Sequence, residues 1–118
     1  MLNPKIDKLY QTLLNIIAKT RNWNQLINIT DNAYSNRIIR KEEANENKSI
    51  ALFEIAKIKM KSDTNEAIKL IENAISLKGN FSPYIKLYIQ LLFNNNNNAK
   101  VLKVLKKYWS QSPSKLLR

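Results

Sequence analysis

The stretch SDTNEAIKLIENAISLKGN, residues 62–80, decides the fold. Ser62, Asp63 and Thr64 are residue types whose side-chain oxygens satisfy the free amides at a helix start, and Glu66 puts a carboxylate in the first turn, where those amides favour it. Ala67, Leu70, Ile71, Ala74 and Ile75 recur three and four apart, which makes one side of a helix from about Asn65 to Lys78 apolar. Gly79 and Asn80 supply the stop. At an offset of 34 residues, Val101, Leu105 and Tyr108 occupy the places of Ala67, Ile71 and Ala74, and Pro113 that of Gly79. Leu26, Thr30 and Ala33 show the spacing once more. Leu26 lies 41 residues before Ala67, so the first junction carries seven extra residues.

Each of these helices follows another. Between Pro4 and Thr20, Ile6, Leu9, Tyr10, Leu13, Leu14, Ile16 and Ile17 share one side, with Pro4 suited to the first turn. After Arg21 and Asn22 the pattern restarts with Trp23, Leu26, Ile27, Thr30, Ala33 and Tyr34, so a tight turn separates two helices that lie antiparallel. Residues 35–47 are polar and charged, with only Ile38 and Ile39 as anchors, and read as a loop running into a solvated first part of the third helix. That helix continues through Ile50, Leu52, Phe53, Ile55, Ala56, Ile58 and Met60, apolar on nearly every side and hence central. Ser82 and Pro83 open the fifth helix. Its apolar residues, Tyr84 to Phe93, leave a narrow polar strip of Lys86 and Gln90. Asn94 to Asn98 reads as a homopolymeric loop before the sixth helix, whose apolar face includes Val101, Leu105, Tyr108 and Trp109. Trp23 and Trp109 are expected to pack in the core.

Composition narrows the function. The 118 residues contain no Cys and no His, which removes thiolate chemistry, disulfides, the commonest metal ligands and the commonest general base. No Gly-rich phosphate loop, paired carboxylates or serine with a partner base stands in their place, so the expectation is a non-enzyme without cofactor or metal. A single Gly and three Pro argue against a sandwich or barrel. No apolar run approaches the ~18 to 20 residues of a membrane span, so the chain as given is expected to be soluble. Twenty Lys and Arg against nine Asp and Glu give a net charge of +11, which attracts acidic proteins, nucleic acid or anionic lipid.

Two helices per 34 residues is the tetratricopeptide length. Arg21-Asn22-Trp23 before an amphipathic helix, the charged insert Arg37 to Glu43, Asp63 to Ala67 opening a helix, and Val101 to Trp109 followed by Pro113 resemble, more narrowly, the C-terminal repeats of HemY-type proteins. Those are bacterial inner-membrane tetratricopeptide proteins associated with haem biosynthesis, and they carry a hydrophobic N-terminal anchor that has no counterpart in this sequence. The resemblance implies an all-α, right-handed stack of three antiparallel helix pairs, about 4–35, 42–78 and 82–110, in a single domain spanning 1–118. It also implies a scaffold that binds a peptide or helix of another protein in a groove lined by the first helix of each pair, and association with the inner membrane if the chain works with an anchored protein of that type.

Lys59, Lys86 and Gln90 lie on such first helices and are the expected partner contacts. The alternative is a basic face of Lys100, Lys103, Lys106 and Lys107, with no acidic residue in the last 25 positions, that binds nucleic acid or anionic lipid. Self-association through an open end, with Leu116 and Leu117 as a light cap, is the third reading.

Overall fold

In the structure, a computed structural model, residues 4–111 are described, with side chains as far as Tyr108. Expectations for the Trp109 side chain and for Pro113, Leu116 and Leu117 fall outside the described residues. Those residues form an all-helical protein of six helices: α1 (Pro4–Thr20), α2 (Trp23–Ser35), α3 (Lys41–Lys59), α4 (Thr64–Lys78), α5 (Ser82–Asn94) and α6 (Asn98–Gln111). The chain divides into two compact units, Met1–Ala51 and Leu52–Arg118.

In the first unit, α1 ends with Arg21 in the left-handed region (φ 56°), and the Asn22 amide donates back to the Ile17 carbonyl at 3.3 Å. Asn22 then caps α2, its side chain accepting from the Gln25 amide. This two-residue link turns α2 back onto α1. Tyr10, Ala33, Ile39 and Ala44 form one buried cluster and Ile17, Leu26 and Ala51 another, with Leu14 and Ile29 packed against both.

Ala44 and Ala51 belong to α3, and their burial corrects one expectation. The loop, residues 36–40, gives way to α3 one residue before the expected helix start at 42, but the first half of α3 is packed along one side instead of solvated throughout. Small residues do the burying: Ala44, Ser49 and Ala51 are almost wholly enclosed, and the Ser49 hydroxyl is satisfied by the Glu46 carbonyl at 2.8 Å. Polar side chains beside and between them hold the helix in place. Glu43 accepts from Gln11 of α1 at 3.4 Å, Asn47 donates to the Tyr10 hydroxyl at 3.4 Å, and Lys48 pairs with Asp31 of α2 at 2.9 Å.

The second unit holds the end of α3 with α4, α5 and α6. Asp63 caps α4 by accepting from the Glu66 amide at 3.1 Å, so the cap cluster works as its composition implies. At the other end Gly79 has φ +91°, a conformation that costs a residue with a Cβ, and its amide bonds to Ile75 at 2.7 Å. Ala67, Ile71 and Ala74 have no exposed surface, and the two alanines let α5 approach α4 closely. From α5 come Tyr84, Ile85, Leu87, Tyr88, Leu91 and Leu92, and from α6 Val104 and Tyr108. Enclosing so many large side chains makes this cluster the main source of stability; truncating one such residue to Ala costs about 2–5 kcal/mol.

The asparagine run is a second correction. It is not one homopolymeric loop, because each residue does a separate local job. Asn94 closes α5, and Asn95 is its C-cap, with a side-chain bond to Asn65 at 3.2 Å. Asn96 takes the left-handed conformation (φ 58°) that Asn tolerates better than most residues, while the Asn97 amide returns to Leu92 at 2.9 Å. The Asn97 side chain accepts from the Lys100 amide at 3.3 Å, capping α6, which Asn98 begins.

Candidate functional site

Helix α5 buries most of its circumference, and what it leaves in solvent is a strip one residue wide. Lys86 and Gln90 lie on that strip, one turn apart and both exposed, as expected from the sequence. Phe93, one turn further on the same strip, is 62% exposed. Hydropathy places it in the core, whereas its spacing from Lys86 and Gln90 places it outside, so the helical phase was the signal that could have found it. Lys59 is exposed on the last turn of α3, beside Ile58, which is also largely exposed. The strip on α5 therefore combines a cation, an amide and an aromatic ring in solvent.

The basic face is narrower than the spacing of its lysines suggests. Glu72, from α4, lies 3.3 Å from the Lys100 ammonium, so that lysine has a carboxylate partner 28 positions earlier in the chain. Glu72 also accepts a 2.8 Å hydrogen bond from the Tyr88 hydroxyl of α5, and Lys100 sits 6.0 Å above the Tyr88 ring. Three helices thus meet at one carboxylate. The hydrogen bond to Glu72, then that with Tyr88, raises the Lys100 pKa, while burial and then its bond to Glu72 raise that of Tyr88. Lys107 lies over the Tyr108 ring at 5.3 Å. Lys103, Lys106 and Lys107 remain exposed, with Leu102 exposed among them.

Among the described side chains, the largest apolar exposure on a single helix was hidden in the sequence. One wide apolar arc of α1 predicts one buried face, yet only Tyr10 and Ile17 are buried, with Leu14 half-buried. Ile6, Leu9, Leu13 and Ile16 are 46%, 69%, 38% and 54% exposed. Their steps of three, four and three residues form a straight seam along the helix, the spacing by which one helix receives another. Lys5, Thr12 and Lys19 border the seam on its open side. Periodicity could locate the arc but could not say which half the rest of the unit covers.

Among the described residues, no three of His, Cys, Asp and Glu come together as a metal site, and no helix is long and apolar enough to cross a membrane. No known protein family, curated protein or solved structure matches this chain.

Proposed function

We propose that this chain is a protein-binding module built from helix pairs of the tetratricopeptide kind, and that it recognises an amphipathic helix of a partner. Six helices joined by links of two to five residues, together with the 34-residue recurrence from α4 to α6, support the helix-pair reading. The observation that carries the function is the uncovered seam of Ile6, Leu9, Leu13 and Ile16 on α1. Four large aliphatic side chains in line bind a helix through burial of apolar surface, at about 25 cal/mol per Å² removed from water. The lysines bordering the seam favour a partner whose flanking residues are acidic. In the second unit, Lys86, Gln90 and Phe93 offer a separate contact on another first helix, with Lys59 on a third.

Affinity capture from the source cell, with bound proteins identified by mass spectrometry, tests the reading. Leu9→Ser with Leu13→Ser should remove the captured partner while leaving the helical circular dichroism unchanged, because neither side chain belongs to the buried core. Capture by the double variant equal to that by the native chain would refute the α1 seam as the contact.

A second reading rests on α6. Leu102 is 67% exposed beside Lys103 and Lys106, an arrangement suited to an anionic lipid surface; nucleic acid would use the lysines alone. Co-sedimentation with phosphatidylserine vesicles, reduced in a Leu102→Ser variant and steeply weakened by salt, is its expected outcome. Lack of vesicle binding at low salt would dismiss the lipid form.

A further inference from the structure

We infer that the first unit carries a pocket for a small organic carboxylate with an apolar body. A cavity of ≈ 680 Å³ opens between the first turn of α1, the last turn of α2 and the link to α3, lined by Pro4, Asp7, Tyr34, Arg37, Ile38, Ile39 and Arg40. Its volume falls within the ~300–1,000 Å³ of small-molecule sites.

The lining sorts into two chemistries. Ile39 is buried, Ile38 is half-buried and the Tyr34 ring is partly exposed, which together with Pro4 makes an apolar wall. Arg37 and Arg40 are both exposed, and among the described residues neither guanidinium makes a hydrogen bond or an ion pair. By contrast, Lys48, Lys57 and Lys100 each have a carboxylate within 3.3 Å. Two arginines in the lining of a partly apolar cavity supply planar donor forks suited to a carboxylate, while the wall takes the hydrocarbon or aromatic part.

Charge chooses among anions. Among the described lining residues, two arginines against the carboxylate of Asp7 leave one net positive charge, which matches a monoanion. A phosphate dianion would leave the site net negative beside Asp7. The frame is fixed before any ligand arrives. The Arg37 amide donates to the Tyr34 carbonyl at 3.0 Å and the Ile38 amide to Ala33 at 2.8 Å, closing α2, while the Arg40 carbonyl receives the Ala44 amide at 3.0 Å, opening α3. A link tied to both helix ends carries the arginines on a backbone that needs no ordering on binding.

Titration of the ¹⁵N-labelled protein with 2-naphthoate and, separately, octanoate tests the pocket and distinguishes an aromatic from an aliphatic body. The expected result is saturable shifts at residues 34–40 and at Asp7. Arg37→Gln with Arg40→Gln should weaken binding at least about tenfold, and the neutral alcohols 2-naphthalenemethanol and octanol should bind weaker than their acids by a similar factor. Asp7→Asn should tighten carboxylate binding about threefold and leave the alcohols unchanged. Shifts confined to Leu9, Leu13 and Ile16, or a double Gln variant within twofold of the native affinity, would overturn the inference. The Leu9→Ser, Leu13→Ser protein should bind naphthoate normally, so the pocket and the partner seam stand or fall separately.

Discussion

Thr30 is the residue where the first unit is least well satisfied. Its side chain is wholly enclosed, and its hydroxyl lies near enough to Tyr10 to influence that phenol, yet among the described residues it meets hydrogen-bond geometry with no partner. A buried hydroxyl that has lost water and gained nothing costs about 1–3 kcal/mol, and Val matches the shape of Thr without it. Thr30→Val should therefore raise the urea midpoint, by roughly 1 kcal/mol of stability. A fall would mean that the hydroxyl finds a partner in solution. Single residues also show how a sequence can point two ways. Phe93 is apolar by type and outward by phase, and the phase decides its position; Arg37 sits in a left-handed cap (φ 60°) where Gly is the common choice.

At the scale of helices, Glu72, Tyr88 and Lys100 tie α4, α5 and α6 together. Tyr88 and Lys100 both hold their protons more tightly in the folded chain than at their ordinary values of 10.0 and 10.5. Below those values both groups are protonated in either state, so the stabilisation is fully present, and it is lost as pH rises through the raised folded values. The urea midpoint should hold level from neutrality to about pH 9.5 as far as these groups are concerned, then fall. Glu72→Gln should bring phenol ionisation, followed by ultraviolet absorbance, to lower pH and flatten that alkaline fall, by less than about 1 kcal/mol because both partners of the ion pair are partly in solvent. Buried Tyr10, raised first by desolvation, contributes an alkaline loss of the same sign that this variant leaves intact. What could be read in advance follows the range of the interactions. The spans of α1, α2 and α4 follow from apolar period and local caps. The first half of α3 escaped because Ala44, Ser49 and Ala51 bury little apolar bulk, and the polar side chains among them reach residues 17 to 37 positions away. The Lys100 partner escaped for the same reason.

Over the whole molecule, charge has the widest reach. All nine acidic residues lie at or before Glu72, so the 46 residues after it carry eight positive charges and no negative one. The ion pairs of Lys48 with Asp31, Lys57 with Glu54 and Lys100 with Glu72 are all at least partly exposed and contribute only tenths of a kcal/mol each. Repulsion from a net charge of +11 outweighs them, so salt that screens both should stabilise the chain. The urea midpoint is expected to rise between about 20 and 300 mM sodium chloride. A midpoint that fell would show that the ion pairs outweigh the repulsion. The same salt series should weaken binding of an acidic partner, which separates folding from recognition in one experiment.

A run of one repeated residue is also where DNA copying most readily gains or drops a unit. Between α5 and α6, asparagine serves as helix terminus, cap, left-handed residue and the next helix's cap in turn. One more asparagine would lengthen the link, leave the phase of the residues within α5 and within α6 unchanged, and require no residue type that is not already there. Inserted inside α5 instead, a residue would rotate everything beyond it by about 100° and carry Phe93 away from Lys86 and Gln90. The asparagine link is thus the place in the second unit where a lineage can change the length of this protein and keep both flanking helices as they were.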